Sequence, residues 1–161
     1  MQRFSHAGQE VKRSMMRGSV SVEFALLLIP LLLLGLGAAE YGRALYQYNA
    51  LVKTVRDAAR FLSQYNPADS ISYPPAVDEA RCLAVHGNAA CSGPSLVPGL
   101  TTAMVEIAST PAITAAGAPI TLIEVRITGY VFDFVFNPSR LIGDTATVLR
   151  FNDIHATMRQ L

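Results

Sequence analysis

The chain has 161 residues, enough for one modest domain with an appendage. It is 51% hydrophobic, 16% charged and carries a net charge of +1. Charged residues fall short of the usual quarter, and no strong field draws nucleic acid. The spacings that carry common chemistry are also missing: there is no G-x-S-x-G, P-loop, H-E-x-x-H or paired C-x-x-C. The histidines, His6, His86 and His155, do not fall at ligand spacing with one another. Asp133 sits between aromatics, where a lone acid makes no site and an exposed strand position is the simpler reading. No enzyme activity, cofactor, metal site or nucleic-acid partner is expected.

A short basic leader opens the chain: Arg3, Lys12, Arg13 and Arg17, opposed by Glu10. Then comes Val20 to Ala39, an apolar stretch whose single charge is Glu23. Its length as a helix, about 30 Å, matches the hydrocarbon thickness of a bilayer. Positive flanks stay inside, so the N-terminus is expected in the cytoplasm and the bulk of the chain outside it. A carboxylate in such a segment is costly, about 2.5–3.5 kcal/mol at the bilayer centre, and usually has a job. Pro30 lacks an N–H, which frees the Leu26 carbonyl and favours a kink. Gly35 with Ala39, and Ala38 with Gly42, are small-xxx-small pairs that allow another helix close; plain membrane tolerance of Gly and Pro is the alternative. The span has two further readings: a plain signal anchor, or a signal peptide cut after Gly37-Ala38-Ala39. The helical pattern running on past Ala39 speaks against the second.

Beyond the span, Tyr41, Leu45, Tyr48, Val52, Val55, Ala59 and Leu62 recur at alternating spacings of four and three. That is an a/d seam, widened by Ala44, Leu51 and Ala58. One helix is expected from Val22 to Gln64, ended by Asn66-Pro67. Its C-terminal half should pack on the chain's own domain. Gly35, Ala39, Tyr41, Leu45 and Tyr48 are the candidates for packing on other helices.

Pro67 to Gly99 is rich in turn signals, with a short helix expected at Asp78–His86 and stopped by Gly87. Cys82 and Cys91 can close a small disulfide loop if the domain lies outside the cytoplasm; in a cytosolic domain they would stay thiols. Strand signals follow: Ala103–Ala108, then Ile120–Thr128 with Ile123, Val125 and Ile127 on one face. Tyr130–Phe136 carries four alternating aromatics, read as core or as a face next to a membrane. Asn137-Pro138 reads as a turn, and Ala146–Arg159 as a strand bent near Asn152-Asp153. Ser109–Pro119 reads as a hairpin connection. Three or four strands against the helix tail make an α+β fold.

The stretch MRGSVSVEFALLLIPLLLLGLGAAEYGRALYQYNALVKTVRDAARFL resembles the TadE-like family of pseudopilins, from the Tad (tight adherence) pilus systems of bacteria. The resemblance runs from about Met16 to Leu62. It rests on Gly18, the acid five residues on, the leucine run with its proline, and the AARFL end. It implies a pilin-like architecture: a long transmembrane and amphipathic N-terminal helix on a small C-terminal antiparallel β-sheet domain. Residues 1–18 would be a prepilin leader, 19–39 the transmembrane segment, 40–66 its amphipathic continuation and 67–161 a periplasmic or extracellular β-rich domain. It also implies cleavage between Gly18 and Ser19 by an inner-membrane prepilin peptidase. Glu23 would then neutralise the new α-amino group, commonly that of a neighbouring subunit. Position 24 is Phe where Flp-type pilins usually show Tyr, which favours a minor pilin. The implied partners are other pilin subunits, the peptidase, the inner-membrane assembly platform and the lipid bilayer. The implied role is assembly or initiation of a pilus used in surface adhesion and biofilm formation. The rival is a signal-anchored periplasmic binding or adhesin domain that does not polymerise.

Overall fold

The computed structural model describes residues 7–136, 143 and 148–161, with side chains from residue 20 onward. The turn expected at Asn137-Pro138, the start of the last run at Ala146, and Arg3 and His6 of the leader lie outside the described residues.

Helix α1 spans Ala7–Leu62, 56 residues or about 84 Å. It begins upstream of the expected Val22 and passes through Pro30 without a break. Ala, Leu, Glu, Arg and Gln dominate its interior, so Pro30 is the one strong obstacle to helix. The helix ends slightly before the expected Gln64 because the last turn tightens. The Ser63 N–H still reaches Ala59, whereas Gln64 and Tyr65 donate to Phe61 and Leu62, three residues back.

Helix α2 spans Tyr73–His86, longer than expected at its start. Pro74 and Pro75, read from sequence as loop punctuation, sit in its first turn, where a missing N–H costs nothing. Gly87 ends it in the left-handed conformation (φ 74) and donates to the Leu83 carbonyl. A side chain there would also press on Leu96, 3.2 Å from where a Cβ would sit. Cys82 and Cys91 are joined, with their Cα atoms 4.7 Å apart, so the bond fastens α2 to the loop behind it.

After a 3-10 turn at Thr102–Met104 come β1 (Val105–Ile113), β2 (Pro119–Ile127), β3 (Val131–Asp133), β4 (Val148–Arg150) and β5 (Ile154–Arg159). β1, β2 and β5 form an antiparallel sheet in that order, and β3 pairs with β4 in a separate two-stranded ribbon. The β1–β2 connection is shorter than expected, because β1 continues through Pro111 to Ile113. β1 is an edge strand, so a residue without an N–H is tolerated there. Both flanks of β2 are taken, by β1 and β5. The aromatic strand β3 pairs with β4 instead, and the side chains of Arg43 and Glu40 tie its end to α1.

The C-terminal half of α1 packs on α2, β2 and β5. Leu51, Val55 and Leu62 meet Val85, Val97, Ile123, Val125, Ile127 and Phe132 in one core. The Leu161 N–H donates to the Ser63 carbonyl just past the end of α1, tying the end of the β5 segment to the helix.

Breaking the disulfide with Cys82→Ser and Cys91→Ser together should lower the stability of the full chain in detergent by about 2–3 kcal/mol. Denaturant unfolding measures this, and an unchanged midpoint would mean the loop is held by its hydrogen bonds alone.

Candidate functional site

Two features stand out on α1: an open apolar half and a polar cluster at its foot. From Val20 to Leu36 nearly every large side chain is exposed, including Phe24, Leu27, Ile29, Leu31 and Leu34. No part of the most apolar stretch is covered by the rest of the chain, and its mean hydropathy is 2.3. A surface this large and greasy does not stay in water. It fits single-pass anchoring in a membrane. Glu23 is exposed within it, and Pro30 lies inside the helix. Gly18 and Ser19 lie on the α1 backbone. Gly35, Gly37 and Gly42 have open space where a Cβ would point, and Ala39 is exposed.

Which stripe of α1 turns inward differs from the seam read in the sequence. The buried stripe is Glu40, Ala44, Gln47, Leu51, Val55, Ala58 and Leu62. The lower half of the expected seam, Val55, Ala59 and Leu62, is buried. Its upper half is not: Tyr41 and Leu45 face outward, and Tyr48 stays half-exposed with its ring edge on Phe151, 5.6 Å between centroids. The supposed flank residues Ala44 and Leu51 are the true contact line.

The polar cluster begins at Glu40, only 9% exposed. Arg43 donates to its carboxylate at 2.8 Å. The same guanidinium nitrogen donates to the Asp133 carbonyl, and the Val135 N–H donates to the Glu40 carboxylate at 3.3 Å. The guanidinium carbon lies 4.3 Å above the centre of the Phe132 ring. One helical turn further, the Tyr130 hydroxyl lies 2.9 Å from both the Gln47 side-chain oxygen and the Pro98 carbonyl, its proton shared between two acceptors. Burial pushes the Tyr130 phenol above its ordinary pKa, and the Asp133 charge adds to this. Phe132 is fully buried, and Asp133 is exposed. The aromatic face read from the sequence is thus core at Tyr130 and Phe132, with Phe134 and Phe136 partly open. The cluster locks the ribbon against the last turn before the greasy half of the helix.

Residues 18–60 match the family model of the TadE-like protein family. By this segment the helix is similar to the TadE-like family. The match begins at Gly18 and covers α1 almost to its end, leaving the globular part outside it. Comparison with curated proteins finds no match, and comparison with solved structures finds none.

Sequence reasoning missed the polar cluster. Its signal was present at short range: Glu40 and Arg43 stand one turn apart directly after the apolar run. Nothing local revealed that both would reach β3, some ninety residues on. Arg43→Ala leaves the Glu40 carboxylate without its cation and should cost about 1–3 kcal/mol. Hydrogen exchange should show the amides of 131–136 losing protection while β2 keeps its own. Unchanged exchange in 131–136 would show that the cluster does not hold the ribbon.

Proposed function

We propose that this chain is a minor pilin, or pseudopilin, that takes part in assembly or initiation of a Tad-type pilus. The observation that carries the reading is the TadE-like match that starts at Gly18 and continues into an apolar helix left open on all sides. A prepilin peptidase cuts after Gly18, and the mature chain begins with Ser19. Glu23 then sits one turn from the new terminus. Each mature subunit in the filament brings one ammonium and one carboxylate into an apolar helix bundle. Neither has water there, and pairing between neighbouring subunits offsets the desolvation of both. The pair also sets the axial register of one subunit against the next. Gly35 and Ala39 let a neighbouring helix approach, and Tyr41 and Leu45 offer it an apolar flank. The globular domain faces the periplasm or the filament exterior.

Secretion by a cut after Ala39 fits less well. It would place the new terminus at Glu40, inside the hydrogen-bonded cluster with Arg43 and β3. The first turn of a helix lacks intrahelical bonds, so the cluster would hang on a fraying end.

Glu23→Ala should leave processing intact and reduce pilus yield by roughly tenfold or more, since half of a buried ion pair left alone costs about 3–5 kcal/mol. Filament counts by electron microscopy check this, and normal piliation would sink the pairing. Gly18→Phe should block the cut, read as retention of the leader on the membrane-bound chain.

A further inference from the structure

The ribbon of β3 and β4 has a direction relative to the helix. Tyr130 meets Gln47, Asp133 meets Arg43, and Val135 meets Glu40. As the β3 strand advances, its helix partner moves back toward the N-terminus. The ribbon therefore descends along α1 toward the greasy half and reaches Glu40, the first residue after the apolar run Val20–Ala39. At this lower end three apolar side chains stand open beside the exposed Asp133: Val135 is 84% exposed, and Val148 and Leu149 are exposed as well. Across the ribbon Leu149 pairs with the buried Phe132 and Val148 with the exposed Asp133, so at this level the open apolar side chains belong to β4. On the helix itself Tyr41 is exposed at the same level. Apolar side chains mixed with a tyrosine, at the depth where a span ends, suit the boundary between headgroups and acyl chains. Arg150, one residue beyond Leu149, is long enough to keep its charge in the headgroup layer.

We propose that the lower end of the β3–β4 ribbon, through Val135, Val148 and Leu149, inserts into the outer boundary of the bilayer beside α1. The partner is the lipid surface itself. The reason is continuity: the patch adjoins the exposed apolar helix and ends where that helix would leave the hydrocarbon. The globular domain then has two attachments to the membrane, which fixes its tilt before assembly. Leaving the bilayer requires pulling out both the helix and the ribbon.

The chain contains no tryptophan, so a single introduced one reports without background. Full-length Val135→Trp, Leu149→Trp, Leu26→Trp and Ile71→Trp are each reconstituted in vesicles of phosphatidylethanolamine and phosphatidylglycerol carrying brominated acyl chains. Ile71 is 83% exposed and lies outside the patch and the span. The expected result is blue-shifted emission and bromolipid quenching for Val135→Trp and Leu149→Trp, approaching that of Leu26→Trp, with Ile71→Trp red and unquenched. Both ribbon positions behaving like Ile71→Trp would overturn the proposal. Blue-shifted emission without bromolipid quenching would also overturn it, and would assign the patch to contact between copies. The proposal rests on the reading of Val20–Ala39 as the membrane span. Leu26→Trp tests that separately: if it is quenched and the ribbon is not, only the ribbon insertion fails.

Discussion

The hydrogen-bonded cluster of Glu40, Arg43 and the β3 backbone fixes where α1 stops being open on every side and becomes a core element. Before it, among the described residues, the apolar stretch of the helix has no intramolecular cover. After it, every turn contributes side chains to the core: Ala44, Leu51, Val55, Ala58 and Leu62. The charge pair is well suited to this position. Glu40 is nearly buried, yet its carboxylate has a cation and a backbone N–H, so its desolvation is offset. The ring of Phe132 under the guanidinium excludes water from one side, and the Arg43 Nε is buried there without a hydrogen-bond partner among the described residues.

The rest of the domain follows from that anchoring. β2 is filled on both sides, and the aromatic strand stands outside that sheet and pairs with β4 alone. A two-stranded ribbon is marginal by itself. This one is held by Arg43, by the Tyr130 hydroxyl and by ring contacts, Phe132 with Phe134 along the strand at 5.2 Å and Tyr130 with Phe151 at 5.7 Å. The aromatic residues thus spend their apolar area on the helix rather than on a sheet. A continuous helix joined to such a ribbon transmits position: where the apolar half sits in a bilayer or a bundle decides where the domain sits.

Much of this was legible in the chain, and the failures have causes. The α+β class, the long helix, the stop at Gly87 and the inward face of Ile123, Val125 and Ile127 follow from period and punctuation, which are local properties. The inward stripe of α1 was displaced because two neighbouring apolar stripes, one through Tyr41 and Leu45 and one through Ala44 and Leu51, have similar periodicity. Packing against partners distant in sequence decided between them. Pro74 and Pro75 in a helix's first turn, and Pro111 on a sheet edge within the expected Ser109–Pro119 connection, hold positions that depend on the assembled fold. The TadE-like segment speaks for the helix. The role of Gly18 and Glu23 rests on that resemblance and on the chemistry of a charge in an apolar bundle.

The peptide cut and the carboxylate form one device in this reading: cleavage creates the cation that Glu23 meets. The intact mass of the mature protein, purified from its native membrane, tests this most directly. A chain beginning at Ser19 is the predicted result. A chain that keeps its leader would leave Glu23 without the amine and contradict the device, and one beginning at Glu40 would remove the segment altogether.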